Sequence, residues 1–269
     1  MTKIDLTEKK LAVDGRFYPI TMPDGSTEDG MSVTTALSFA RIKSFLDEWE
    51  WEMQRELGLE GLKQYMTKKA WEGTMLHDMA EEYLKRVKAK DPTHFEWTDD
   101  MNKYIWHKFN IWESWYLLRR PKVIWLEEKL QSVQQLCGGR ADAMLEVKAQ
   151  GTGYNTLLGG KGIFDWKTSK QFNEKHLMQL AAYIEFWREM TGEALDFGSV
   201  VVVGAQSKKG WKEVSISRNK IHKGSGMNEI EHYYEGFKRV KSLVDWTLSD
   251  LKPNNYEYPR YIVPTIFDE

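Results

Sequence analysis

The chain has 269 residues, 41 % of them hydrophobic and 13 % aromatic, with 12 Trp and a net charge of −2. That is enough apolar material for a substantial core, and the charge balance excludes a globally basic, tail-driven nucleic-acid binder. One cysteine, Cys137, excludes an intrachain disulfide, a four-cysteine iron–sulfur cluster and a cysteine-rich zinc site.

The first residues, MTKIDLTEKK, hold no apolar signal core and carry acids that a mitochondrial presequence avoids. No run of 18 apolar residues occurs, so no transmembrane helix is expected. These features predict a soluble cytoplasmic protein in a reducing compartment, with no membrane partner. Basic stretches at 117–122, 207–212, 217–224 and 237–241 are local, and such runs are more often solvated faces than binding sites.

Residues 9–33 read as a β-hairpin region, with Asp-Gly turn signals between short apolar runs. Ser32 or Thr34 caps a helix expected to run on through ALSFARIKSFLDEWEWEMQREL. Helices continue over 60–90, where apolar residues at 71, 75, 76, 79, 80, 83 and 84 keep a helical spacing. A further helix over 98–118 carries Trp106, Phe109, Trp112, Trp115 and Tyr116, a spacing that predicts a core stripe more than a base-stacking platform.

The period then changes to that of strands at 122–133, 138–148, 161–168, 197–206 and 211–218. An amphipathic helix over 173–192 ends at Gly192, and a last helix spans about 227–250. No internal repeat or low-complexity linker interrupts the chain. The pattern predicts one α/β domain over 1–269: an N-terminal hairpin and helical region (1–120), a sheet core (121–220), and a C-terminal helix and tail (221–269).

The chemistry gathers in the strands. In GIFDWKTSK (162–170), Asp165 and Lys167 lie two apart and share a strand face, while Trp166 points to the other. In RADAMLEVK, Asp142 shares a face with Met144 and Glu146. An antiparallel pairing of these strands brings Asp142 near Asp165, across a Gly-rich connection. Two adjacent carboxylates repel at neutral pH. A divalent cation offsets that repulsion, and Mg²⁺ prefers a few carboxylates with waters and phosphate oxygens. Carboxylates, a cation and a lysine together suit phosphodiester hydrolysis. GGKG at 159–162 is not a phosphate-binding loop, because it leads into a strand.

An Asp-x-Lys alone is weak, but its surroundings resemble the RecB-like exonuclease branch of the PD-(D/E)XK nuclease superfamily. Residues 73–81, GTMLHDMAE, match that branch's GTxxHxxxE helix; GGRAD ends at Asp142; DWKT spans 165–168; QLAAY carries Gln179 and Tyr183 at i and i+4. The motifs occur in the family's order and cover roughly 70–190, and the early SVTTAL resembles phage-encoded and mitochondrial members.

The resemblance implies a restriction-endonuclease-like core, a mixed central sheet flanked by helices, with N-terminal helical additions. It implies metal ligation by His77, Asp142, Asp165 and the Trp166 carbonyl, with Mg²⁺ or Mn²⁺ as cofactor and Lys167 as the catalytic lysine. Gln179 and Tyr183 position the substrate strand or brace the site, and Ser169 and Lys170 contact phosphate. Glu81 binds a second metal or orients His77, and Glu127 or Glu128 either reaches the site or forms a solvated edge. His94, His107, His176, His222 and His232 have no comparable company and read as surface or core. The gap between Asp142 and Asp165 is longer than in the family's usual hairpin, which leaves the register open.

The implied function is a metal-dependent DNA exonuclease acting on single-stranded DNA or free ends, in a bacterial or phage-infected cell. An endonuclease of the same fold and a non-catalytic DNA-binding or interaction protein are the alternatives.

Overall fold

The computed structural model describes residues 16–39, 45–91, 103–151, 156–168 and 172–247. Its centre is a mixed seven-stranded sheet with helices on both faces. The strands are β1 (Phe17–Thr21), β2 (Thr27–Ser32), β3 (Lys122–Ser132), β4 (Cys137–Val147), β5 (Gly160–Lys167), β6 (Phe197–Val203) and β7 (Trp211–Ser217). Their order is β1-β2-β4-β5-β6-β7, with β3 paired along β4. The β1–β2 hairpin thus joins the five strands expected from periodicity, through a short parallel contact of Met31 and Ser32 with Cys137 and Gly138.

Helices α2 (Phe45–Ala89) and α3 (Lys103–Arg119) cover one face; α1 (Val33–Ser38), α4 (Glu174–Thr191) and α5 (Glu229–Thr247) cover the other. Leu76, Met79, Ala80 and Leu84 of α2 are buried, as the helical spacing requires. The aromatic stripe of α3 is core: Phe109, Trp112 and Trp115 are buried, and Trp112 and Trp115 meet the Trp166 ring edge-on at 5.7 and 5.1 Å. Such ring pairs add to ordinary burial.

The first helix differs from expectation. Ser32 caps it, accepting from the Thr35 N–H, but it ends at Ser38 with Phe39 as its C-cap. Thr34 lies inside the first turn. The six residues of α1 bury Val33, Ala36 and Leu37, and the next described residues, from Phe45, are helical. α2 then kinks at Gly58, whose φ of 73° lies in the left-handed region that glycine adopts freely.

α4 follows its sequence signals closely. Asn173 caps it, and Gly192 ends it with φ 75°. Because β5 and β6 are parallel, α4 is the crossover between them.

The connection between β4 and β5 is tied at its base. Arg119, at the end of α3, donates to the Lys148 and Leu158 carbonyls at 2.8 and 2.5 Å. Its Nε lies 3.2 Å from Glu213 of β7, and both side chains are fully buried. Glu213 also accepts from the Trp115 indole N–H at 2.8 Å and from Ser199 at 3.1 Å. One buried ion pair thus links α3, the β4–β5 connection, β6 and β7. Removing one partner of such a pair strands a buried charge. Arg119→Met should lower unfolding free energy by about 3–5 kcal/mol in urea titrations. The Arg119→Met/Glu213→Leu double variant should lose less, since no orphan carboxylate remains.

Candidate metal centre

The β4–β5 register decides the site. Ala143 pairs with Phe164 and Met144 with Ile163, so the next step sets Asp142 level with Asp165. Neighbours across an antiparallel pair share a face, and the two acids therefore stand side by side. The long connection leaves this register intact because Val147 and Gly160 already pair at its base.

Both acids are largely buried, at 9 % and 3 % exposure. Each has its own counter-charge. Asp142 Oδ1 lies 3.1 Å from His77 Nδ1, and its Oδ2 accepts from the Trp166 N–H at 2.7 Å. Lys167 Nζ lies 2.9 Å from Asp165 Oδ1 and 2.7 Å from Oδ2. The second contact is an ion pair without hydrogen-bond geometry, so among the described residues Oδ2 stays buried without a donor.

Burial opposes ionisation of Asp142, but His77, Lys167 and the Trp166 N–H outweigh it and hold the carboxyl below its usual range. Asp165 goes the other way: burial, together with the charge on Asp142, raises it despite Lys167. Burial would lower His77, yet Asp142 raises it. The Asp142 charge thus favours the protonated form of His77. Lys167 follows the same pattern, with burial overcome by Asp165 and Asp142, so it stays charged.

Glu127 of β3 completes the cluster. The pairs Leu126–Ala143 and Glu128–Ala141 bracket it, placing it opposite Asp142. Its φ is 50°, in the left-handed region within a strand, a strain of order 1–3 kcal/mol for a non-glycine residue. The strain has a visible consequence. Leu126 packs with the α2–α3 layer while Leu130 packs with the α4–α5 layer, although residues four apart in a regular strand share a face. Ala143 and Ala141 of β4 divide in the same way. The sheet changes faces at Glu127 and Asp142, where the acids gather.

Burial and the Asp142 charge push Glu127 up to about 7, against the pull of Arg140, whose Nε lies 2.6 Å from Oε2. Among the described residues, His77, Glu127 and Asp142 offer ligand atoms within 4.8 Å of one another. Asp165 is outside that group, held by Lys167 and Gln179. An imidazole and carboxylate oxygens are ligands for divalent cations, and Asp165 Oδ2 is a further acceptor on the adjoining strand. The residues present fit a divalent cation.

The helical motifs act as braces. Gln179 donates to Asp165 Oδ1 at 3.3 Å and to the Tyr183 hydroxyl at 3.2 Å. Tyr183 is 2 % exposed, and burial raises its phenol so that it stays protonated. Its ring occupies the space a side chain at Gly139 would need, with ring atoms 2.4 Å from that Cβ position. The glycine of GGRAD and the tyrosine of QLAAY are thus two halves of one contact. Gly73 packs beside Thr168, the residue after Lys167, with Thr168 Oγ1 3.5 Å from its Cβ position. Trp166 turns its ring into the other layer, as its strand position predicts.

Glu81 pairs with Lys85 at 2.7 Å, and Asp142 is the partner of His77. Ser169 and Lys170 lie outside the described residues, as does His94. Of the two acids on β3, Glu127 faces the site and Glu128 is exposed. Periodicity alone could not choose between them, because a left-handed residue breaks the alternation that such a choice relies on.

No model of a known protein family matches the chain, and no characterised protein matches its sequence. Among the described residues, no helix is long and apolar enough to cross a membrane.

A cation needs Glu127 ionised and His77 neutral, whereas Glu127 is pushed up to about 7 and the Asp142 charge raises His77. Ligation therefore releases protons, and affinity should fall by up to about tenfold per pH unit for each proton released. Mn²⁺ titrations followed by electron paramagnetic resonance should show weaker binding at pH 6 than at pH 8. Glu127→Gln should weaken binding and flatten that pH dependence; equal affinity at both pH values would contradict the ligand set.

Proposed function

We propose that the protein is a metal-dependent DNA exonuclease that hydrolyses phosphodiester bonds in single-stranded DNA or at free DNA ends. The observation that carries this reading is the joining of Asp142, Asp165 and Lys167 with His77 in one largely buried cluster. Residues from α2, β3, β4, β5 and α4 meet there, and the pattern of residue types resembles the RecB-like branch of the PD-(D/E)XK nucleases.

In this reading Asp142 and Asp165, with His77 and Glu127, hold Mg²⁺ or Mn²⁺. The bound cation would polarise a phosphoryl oxygen and supply a water of lowered pKa. Lys167 stays protonated and presents its ammonium to the developing charge on phosphate. The Trp166 N–H and Gln179 fix the two carboxylates in orientation, which removes a reorganisation cost at the moment of reaction.

The preference for single strands draws on α2. Trp51 is 67 % exposed and Trp71 48 %, and Arg55 lies 5.9 Å from the Trp51 ring centre. Exposed rings with cations beside them stack bases without regard to sequence. The buried stripe of α3 is unavailable for that role.

Single-stranded oligonucleotides labelled at the 5′ or the 3′ end, incubated with Mg²⁺, Mn²⁺ or EDTA, test the proposal. Cleavage should require metal, and Lys167→Ala should reduce it by about 10²-fold or more. A circular single strand should survive, since an exonuclease has no end to start from. Cleavage of the circle would replace this reading with an endonuclease. No cleavage of any DNA with either metal would leave a binding protein.

A further inference from the structure

His176 makes no hydrogen bond to the cluster, yet the fold sets it beside it. α4 packs against β5 and β6 and runs back between these parallel strands, so its first turns lie near the C-terminal end of β5. From α4, Gln179 reaches Asp165. His176 lies about one turn earlier on the same helix face, since 176, 179 and 183 are spaced i, i+3, i+7. Lys167 lies two residues later than Asp165 on the same strand face. Helix spacing and strand alternation thus bring His176 to the Lys167 end of the cluster, near enough for the Lys167 charge to act on its ring.

The ring is neutral. Burial and the Lys167 charge lower its pKa to about 4. Among the described residues its Nδ1 is buried with no hydrogen-bond partner, and the ring meets Phe172 edge-on at 5.9 Å. A buried nitrogen without a partner is less costly as a bare lone pair than as an unmet N–H. With the proton on Nε2, Nδ1 is an acceptor with no donor among the described residues.

Lys167 is committed to Asp165, with its ammonium within 2.9 Å of both carboxylate oxygens. A cation that takes those oxygens competes with the ammonium for them. We propose that His176 is a positioning residue for Lys167: its Nδ1 accepts an N–H of the ammonium once a divalent cation occupies the Asp165 oxygens. This rests on the metal-dependent reading of the site given above. No covalent bond changes and no proton changes owner. The ammonium has three N–H groups, so one held by Nδ1 leaves two for a phosphate oxygen or water. Without that acceptor, a lysine displaced from Asp165 would have no fixed place on its long stem.

The test uses the full chain with ¹³C-labelled histidine, in the wild type and in Lys167→Met, His176→Gln and His176→Leu. The His176 ring signal is assigned by its loss in His176→Gln. Adding Mg²⁺ should shift that signal in the wild type and leave it unmoved in Lys167→Met, while the His77 signal responds in both. On single-stranded DNA, His176→Leu should lower kcat about tenfold, the loss of one charge-assisted hydrogen bond, with KM unchanged. His176→Gln, whose amide oxygen also accepts, should recover most of it. A His176 shift that persists in Lys167→Met overturns the proposal. So does a silent His176 signal in a protein whose His77 responds to Mg²⁺, and so does the absence of any Mg²⁺ response at all. A wild type that responds in the spectra but cuts no DNA would sink the nuclease reading alone, and the spectra would still decide the His176–Lys167 contact.

Discussion

Two carboxylates held side by side in a largely dry place are the constraint from which the rest of this site follows. Asp142 and Asp165 are brought level by the pairing of β4 with β5, and nothing about a sheet ladder makes that arrangement comfortable. The surrounding groups divide the problem unequally. Asp142 receives an imidazole and a backbone N–H, and its pKa falls. Asp165 receives one ammonium and a weaker amide contact, and its pKa rises. One acid is thus firmly ionised and the other is the one whose charge is least well met.

The fold carries a local cost to make room for this. A left-handed Glu127 inside β3 is unfavourable by itself. It allows the sheet to serve the α2–α3 layer on one side of that point and the α4–α5 layer on the other, and it brings a third acid toward the seam. Rigid support surrounds the strained point. The Trp112–Trp115–Trp166 packing backs β5, and the buried Arg119–Glu213 pair fixes the far end of the β4–β5 connection. A site of like charges is best built on elements that cannot relax away from it.

Much of the fold was legible because its elements obey local rules. The strands β3 to β7 and the helix α4, with Asn173 and Gly192 as its caps, fall within a few residues of where period and capping chemistry put them. The α3 stripe is core, as its spacing suggested. α1 is shorter than its sequence suggests, since helix-forming residues after Ser38 give no local reason to stop. Glu127 and His176 were harder still. A strand acid next to another acid looks like any solvated edge until a positive φ turns it inward, and a lone histidine early in a helix carries no sign of the strand that will lie beneath it.

The sequence by itself determined which residues can do chemistry and in which element each one rides, because side-chain type, strand alternation and helical spacing are local properties. It placed Asp165 and Lys167 on one strand face and Gln179 and Tyr183 on one helix face. Only the tertiary structure decided which of them meet. The register that sets Asp142 level with Asp165, the partition of His77 to Asp142 and of Lys167 to Asp165, and the fit of Tyr183 over Gly139 all join residues far apart in the chain. Those contacts are fixed by how whole layers pack, and no window of sequence contains that information.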